Sequence, residues 1–385
     1  MKIKRRQEIE LEITDMAFGG KGLAKIDGYA VFVDQAVPSD RILARITKKK
    51  KNFAEARIID LIKPSPLRIE PPCAYAGFCG GCKWQFLKYE DQLLYKQQHV
   101  LESIEHIALI HGVKVHPTIP SENIFGYRNK MEFSCSDKRW LLPSELGRED
   151  IDTGFALGLH VPGTFHKVLD IDKCMLHPEQ GNAILNDVRE YMLKSGKPLY
   201  GLKTHEGFWR FLMLRHSAAH DQWMVNIITS SEDRKTVQPL ADFLIEKYPN
   251  IVSIVNNITA RKAGIAVGEY EINLAGSSIL KDKIGSYEFE ISANSFFQTN
   301  TKGAKKLYDV VEKFANLSGT ENILDLYCGT GTIAICLSGK AEQITGIELV
   351  ESSVADAEKN CQNNKIDNCR FIQGDIKDCL GDTGG

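Results

Sequence analysis

The chain reads as a multidomain α/β protein with an N-terminal barrel of OB type, a central α+β domain and a C-terminal Rossmann-like sheet. Three observations predict this. Residues Gln7–Lys63 break into short alternating strands divided by glycine turns. The Pro-rich stretch Pro64-Ser-Pro-Leu-Arg-Ile-Glu-Pro-Pro72 then separates them from a region of mixed helical and strand periodicity. Near the C-terminus, three apolar strands each end on a glycine turn or an acid, the pattern of an open parallel sheet with a ligand crevice at its carboxyl edge. The expected domains are 1–64, 65–280 and 281–385.

At 385 residues the chain can bury two or three cores. A net charge of −2 means that any nucleic-acid surface must be local rather than global. The N-terminus, Met1-Lys-Ile-Lys-Arg-Arg-Gln-Glu, has no apolar signal core, and no run approaches a membrane span. Ten cysteines in such a chain point to a reducing compartment, where thiols stay reduced or bind metal. A cytoplasmic monomer without membrane contact is expected.

In the barrel, Glu8–Ile13 alternates, the Gly19-Gly-Lys-Gly22 turn follows, and Tyr29–Val33, Arg41–Ile46 and Ala54–Ile62 supply further strands. Lys48, Lys49, Lys50 and Lys51 lie between two of these, with Phe53 just after them. Four adjacent lysines alone describe a solvated loop. Beside an aromatic on an OB-type barrel they supply phosphate contacts and a stacking surface for RNA.

After the Pro-rich stretch come Cys73, Cys79 and Cys82, spaced x5 and x2 around a Gly-Gly turn. Such spacing lets three sulfurs point at one metal centre, and Cys174 is the best fourth ligand. The spacing is nearest to iron–sulfur ligation; zinc held by the four cysteines, or by three of them with His177, is the alternative. Trp84–His111 is helical in pattern, and Pro178–Lys194 is an amphipathic helix. Gly126-Tyr-Arg-Asn-Lys-Met-Glu-Phe133 leads into a strand on which Arg128 and Lys130, at alternate positions, share one face suited to phosphates. Gly154–His160 and Phe165–Leu169 read as hairpin strands, with further strands at Phe211–His216, Trp223–Ile228 and Ile251–Asn256. His160, His166 and His216 have no partner motif and read as satisfied structural histidines.

Glu288–Asn300 is a strand leading to a helix start capped near Asn300 or Thr301. Ile323–Leu326 then reads as a buried strand broken by Gly329 and Gly331, with a helical segment from Ile333. Glycines there let the backbone approach a ligand closely. A second strand ends on Glu348, where a ribose diol needs an acceptor, and a third on Asp375. Ala334 replaces the third glycine of a dinucleotide fingerprint, so no pyrophosphate is implied.

Asp325-Leu-Tyr-Cys-Gly-Thr-Gly-Thr332 resembles motif I of S-adenosyl-L-methionine-dependent methyltransferases, and Asn294-Ser-Phe-Phe-Gln-Thr-Asn300 resembles the cofactor-side segment of the RNA uracil-C5 methyltransferases. The N-terminal module resembles the TRAM domain, an RNA-binding barrel. The resemblance covers nearly the whole chain. It implies that Gln298, Tyr327, Gly329, Gly331, Thr332, Glu348 and Asp375 hold the cofactor, and that Tyr-Arg-Asn-Lys130 lies near the RNA and the active site. It also implies that Cys73, Cys79, Cys82 and Cys174 carry a [4Fe-4S] cluster of structural or RNA-facing role.

In that family a thiolate adds to carbon 6 of uracil, making carbon 5 nucleophilic enough to take the methyl group, and a base then removes the C5 proton. The target base must leave its stack. The nucleophilic cysteine follows an Asp-Pro-Pro-Arg segment that is absent before Gly385, so it is expected beyond that residue, in a C-terminally shortened chain without turnover. The expected substrate is structured RNA, 23S ribosomal RNA ahead of transfer RNA. Competing readings are a noncatalytic RNA-binding protein and a radical S-adenosylmethionine enzyme. The x5 gap and the separate glycine motif count against the latter.

Overall fold

The computed structural model describes residues 3–262 and 264–381. Met1 and Lys2 of the basic N-terminal stretch, and Asp382–Gly385 of the last expected domain, lie outside the described residues. Contacts divide the chain into two compact units, 1–124 with 159–164, and 125–158 with 165–385. The expected boundaries at 64/65 and 280/281 thus fall inside units.

In the first unit, β1 (Glu8–Glu12), β2 (Asp15–Ala17), β3 (Lys21–Ile26), β4 (Tyr29–Asp34), β5 (Arg41–Lys49) and β6 (Phe53–Lys63) form one sheet in the order β1-β5-β6-β4-β3-β2. Its two outer strands are consecutive in the chain, separated only by Ile13 and Thr14, so the sheet must curl until its edges approach. Period-two alternation puts Ile9, Leu11, Val31, Val33, Ile42, Ala44 and Ile46 in one core. Asp40, fully buried, accepts from the Val37 and Ser65 backbone N–H groups at 2.7 and 2.9 Å and from Arg68 Nε at 3.0 Å. These bonds hold Ser65 and Arg68 to the barrel, so the Pro-rich stretch is not a free linker. Trp84–Lys88, expected as helix, instead packs its Trp84, Phe86 and Leu87 against Met16 and Val37. Helix α1 begins only at Tyr89 and runs to Glu102, continuing as a π-turn over Ser103–Ile107.

In the second unit, β7 (Lys130–Ser136), β8 (Ala156–His160, whose last two residues count with the first unit), β9 (Val168–Asp170), α2 (Glu179–Lys194), β10 (Trp209–Ser217), β11 (Gln222–Thr229), α3 (Arg234–Lys247), β12 (Ile251–Ile258) and β13 (Tyr270–Gly276) follow in order. The sheet runs β13-β12-β11-β10-β7-β8-β9. Its central strands β10 and β11 read as nearly continuous apolar runs because both faces are buried. Phe165–Lys167 stays outside β9. A hairpin, β14 (Ile279–Ile284) and β15 (Tyr287–Ser292), leads to α4 (Thr301–Ala315). There follow β16 (Asn322–Leu326), α5 (Thr332–Leu337), β17 (Gln343–Glu348), α6 (Glu351–Asn363), β18 (Cys369–Gln373) and α7 (Ile376–Gly381), with β16, β17 and β18 parallel and in that spatial order. Asn360 on α6 and Asn364 just past its C-terminal end accept from the Glu290 and Glu288 backbone N–H groups at 2.8 and 2.9 Å, fastening the hairpin to this helix. β16 is not the buried strand expected: it lies at the sheet edge, with Leu324 46% and Leu326 41% exposed.

Candidate cofactor site and RNA-facing segments

The turn after β16 is built from left-handed residues. Tyr327, Gly329 and Gly331 have φ of +59°, +55° and +72°. A tyrosine there is strained, and its ring stands 79% exposed above the sheet edge. The parallel pairing brings the carboxyl ends of β16, β17 and β18 together, so Tyr327–Thr332, Glu348 and Asp375 share one edge, as the sequence predicts. Glu348 does more than wait for a ligand: Oε2 accepts from Gly329 N–H at 3.0 Å and Oε1 from Val350 N–H at 2.9 Å. Two lone-pair sites on these oxygens are left for a diol. Asp375 accepts from Lys377 N–H at 2.9 Å and starts α7.

The upstream segment meets this turn. Asn300 caps α4 by accepting from Gly303 N–H at 2.9 Å, as predicted. The Thr330 hydroxyl donates to Phe296 O at 3.4 Å. Tyr308 on α4 shares a 2.9 Å hydrogen bond with the Thr332 hydroxyl and also bonds the Gln298 side chain. Gln298 and Thr332, far apart in the chain, are thus brought to one side chain, Tyr308 on α4. From the other side, Asn129 Nδ2 donates to Gln298 O at 2.8 Å and to Thr301 Oγ1 at 2.7 Å, and Asn129 N–H donates to Thr299 O at 2.9 Å. Thr301 in turn donates to Asp282, which also accepts from Ser217 Oγ and Ala219 N–H.

Arg128 and Lys130 therefore sit beside the cofactor-side segment. Lys130 is part-buried; burial, then the Arg215 and Arg128 charges, hold its pKa below the ordinary lysine value, against an opposing pull from Glu132. Arg215, which motif reading passed over, is almost wholly buried and donates to Ala293 O at 3.3 Å and to Ser295 O. Burial brings its pKa down to about 10. Its signal in the sequence is a charge inside an apolar strand.

Asp325, the first residue of the motif I resemblance, carries the same signal, though the sequence assigns it no role. It lies within the apolar run of β16, is largely buried, and its Oδ2 has no hydrogen-bond partner among the described residues. Burial raises its pKa from 3.8 to about 6, with a hydrogen bond from the Ala334 backbone opposing. A carboxyl whose folded pKa is raised binds more protons folded than unfolded, so stability falls as pH rises from about 4 to about 6. Asp325→Asn is expected to remove that loss, and denaturant unfolding of both forms across this pH range measures it.

On the barrel, Lys48 and Lys49 lie within β5, and the turn itself is Lys50–Asn52. Lys48 pairs with Glu55 at 3.2 Å, while Lys49, Lys50 and Lys51 are exposed. The Phe53 ring packs edge-on against Phe32, with centroids 5.7 Å apart.

Cys73, Cys79 and Cys82 belong to the first unit and Cys174 to the second. Among the described residues, no group of three or more His, Cys, Asp or Glu side chains is arranged to hold a metal. The Gly81 N–H does point at Cys79 Sγ, 3.4 Å away. His177, the alternative zinc ligand, is a core histidine: it bonds Asn182 Oδ1 at 3.0 Å and packs beside Phe133 and Trp223. Burial lowers its pKa to about 4. His216 is satisfied by Asp221 at 2.9 Å, but His166 Nδ1 is buried without a hydrogen-bond partner among the described residues, contrary to expectation. Among the other cysteines, the neighbouring Cys361 holds Cys369 below the ordinary thiol value, against desolvation, whereas Cys135, Cys328 and Cys336 are shifted upward. Burial raises Cys328 and Cys336 to about 12, and lifts the enclosed Cys135 higher still.

A parallel sheet with a glycine turn and two edge acids defines a nucleotide-binding α/β domain of the methyltransferase type. Residues 259–376 match the family described as tRNA (Uracil-5-)-methyltransferase, and residues 2–59 match the TRAM domain. An uncharacterized RNA methyltransferase of Chlorobaculum tepidum is 43% identical over 98% of this chain and 79% of its own length. Another, of Porphyromonas gingivalis, is 38% identical over 96% of this chain and 81% of its own. The chain belongs to the RNA methyltransferase family that joins a TRAM domain to a uracil-5-methyltransferase domain. Its fold is similar to that of a Pyrococcus abyssi tRNA (uracil-54, C5)-methyltransferase solved with S-adenosyl-L-homocysteine, with a TM-score of 0.71 at 24% identity, covering 95% of this chain and 79% of that one. Among the described residues, no helix is long and apolar enough to cross a membrane.

Proposed function

We propose that the chain binds S-adenosyl-L-methionine at the Tyr327–Thr332 turn and serves methylation of carbon 5 of a uridine in structured RNA. The observation that carries this is that α4 and the segment before it are tied on both sides: Asn129 donates to Gln298 O and to Thr301 Oγ1, and Tyr308, further along α4, bonds the Thr332 hydroxyl. It fixes the segment bearing Arg128 and Lys130 relative to the methyl-donor turn, as transfer between two bound partners requires. In this reading Glu348 accepts from the ribose, Asp375 faces the base, and Gln298 orients the methionine portion. Lys48, Lys49, Lys50, Lys51 and Phe53 meet RNA on the barrel, and the protein acts as a cytoplasmic monomer. Glu348→Ala is expected to weaken S-adenosylhomocysteine binding about tenfold to a hundredfold, the worth of hydrogen bonds to a charged acceptor. Calorimetry with wild-type chain that registers no heat would sink the reading itself.

The barrel with its cysteine arrangement supports 23S ribosomal RNA as substrate, whereas the matched family's name points to transfer RNA, so a methyl-transfer assay should offer both. We further propose that Cys73, Cys79, Cys82 and Cys174 take a [4Fe-4S] cluster, supported by their spacing and by the amide aimed at Cys79 Sγ. Such a cluster would tie chain segments together; methyl transfer from a sulfonium needs no electron. Iron and acid-labile sulfide in anaerobically purified protein would bear this out, and zinc alone would not.

A second reading, a noncatalytic RNA-binding protein that keeps the fold, has one observation behind it: burial raises the thiols of Cys328 in the cofactor turn and Cys336 on α5 to about 12. Methylated uridine produced by this chain would refute that.

A further inference from the structure

We propose that a basic, aromatic cavity in the second unit, apart from the cofactor turn, holds an unpaired nucleotide of the RNA, its base on Trp140 and its phosphates on Lys138 and Lys203. This rests on the reading that RNA is the partner, and adds a contact site to it. The cavity has a volume of about 430 Å³, within the range of small-molecule pockets. Three segments form it: the turn after β7, the loop before β9, and the loop at Leu202–Thr204.

The indole of Trp140 is the floor. It is 42% exposed, its backbone N–H is fixed to Val168 O at 2.8 Å, and Lys167 Nζ stands 3.8 Å from the ring centroid. Among the described residues, Lys138, Lys167 and Lys203 have no carboxylate partner. Arg139, by contrast, is committed to Glu145 and Asp170 and stiffens the wall. Asp137 is the acid at the rim. A protein with a net charge of −2 has thus gathered three ammonium groups without a carboxylate partner among the described residues around one exposed indole, Lys167 already over one face of the ring and Lys138 and Lys203 beside it. That is the composition of a single-strand grip, with phosphates on cations and a base on an aromatic face.

His166 adds an edge reader. Its Nδ1 is buried and unpartnered among the described residues, and desolvation, then the nearby Lys203 and Lys167 charges, hold its pKa below the ordinary histidine value. A neutral imidazole offers one donor and one acceptor, as a base edge demands. The cavity lies past Ser136, at the far end of β7 from Lys130, about 20 Å away at roughly 3.3 Å per residue. One folded RNA can touch both ends of that strand. An acidic peptide would use the ammonium groups but has no need of the indole.

The test is fluorescence polarisation of a labelled RNA hairpin with a uridine loop, titrated with the 385-residue chain over a series of salt concentrations. Trp140→Ala is expected to weaken binding about tenfold with little change in salt slope, and Trp140→Tyr to restore most of it. The double variant Lys138→Ala/Lys203→Ala is expected to lower affinity and reduce the salt slope by about one to two. Unchanged S-adenosylhomocysteine binding shows that a variant is folded; should Trp140→Ala fail that check, the lysine pair, which is exposed, decides. Variants that bind the hairpin like wild type overturn this site and leave the family reading intact. A wild-type chain that binds no RNA overturns both. Polyglutamate that competes as well as unlabelled RNA overturns the site in favour of an acidic protein partner.

Discussion

Gly331→Val abolishes cofactor binding, with affinity for S-adenosylhomocysteine falling about a hundredfold or more. Two physical costs coincide at this position. The backbone φ of +72° lies in the left-handed region, which costs a residue with a Cβ about 1–2 kcal/mol and a β-branched one more. A Cβ would also stand 2.8 Å from the Phe371 ring and 3.0 Å from Ala357 Cβ, so α6 and β18 would have to move. Both elements carry the sheet edge on which Glu348 and Asp375 stand. Gly329 is the control. Its φ is +55°, but nothing lies within 4 Å of a Cβ there, so Gly329→Ala meets backbone strain alone and should weaken binding about tenfold. Calorimetry on both variants separates the two terms. Equal losses would mean that packing under Gly331 is irrelevant, and a Gly331→Val protein that binds normally would mean that the turn does not approach the ligand.

Asp282→Ala is expected to cost about 3 kcal/mol of stability and to lower cofactor affinity severalfold. Asp282 is 1% exposed and accepts three hydrogen bonds, from Thr301 Oγ1 at 2.8 Å, Ser217 Oγ at 3.0 Å and Ala219 N–H at 3.1 Å. Alanine leaves the Thr301 and Ser217 hydroxyls buried and the Ala219 N–H part-buried without that acceptor, and water does not replace it for the two hydroxyls in a packed site. The functional effect travels one bond further. Thr301 opens α4 and accepts from Asn129, so loosening it releases both the helix that positions Tyr308 and the segment that bears Arg128 and Lys130. Asp282→Asn keeps one acceptor oxygen and should cost about half as much. Urea unfolding gives the first quantity and calorimetry the second. A stable Asp282→Ala protein with intact binding would show that this network is ornamental to the site.

How much of the site was legible beforehand depends on the residue. Tyr327–Thr332, Glu348 and Asp375 could be placed because strand, glycine turn and terminal acid follow one another in the chain, and parallel pairing then aligns the three strand ends. Gln298 could be named only by resemblance, since its tie to Thr332 runs through Tyr308 on another element. Arg215 was passed over, and Asp325 was quoted within its motif without a role, because a charge in an apolar strand reads as an interruption until its burial is known. Lys48 looked like part of a free basic loop, yet it is in a strand and paired with Glu55. His166 and Trp140 carry no motif, and they face one cavity only because the turn after β7 and the loop before β9 converge.

Alternation, glycine turns and helix periodicity by themselves determined the barrel strands, the strand–turn–helix order of the parallel sheet and the capped start of α4, while the family came from the resemblance of the Asp325–Thr332 and Asn294–Asn300 motifs. These are local properties, set by which side chains point inward along a strand or around a helix, and a one-dimensional pattern records them. Tertiary structure alone decided that Asp40 holds the Pro-rich stretch to the barrel, that Asn129 reaches Gln298 and Thr301 across about 170 residues, and that β16 leaves an apolar face exposed. Such contacts join residues remote in the chain, so their energy depends on burial and distance that no local pattern encodes.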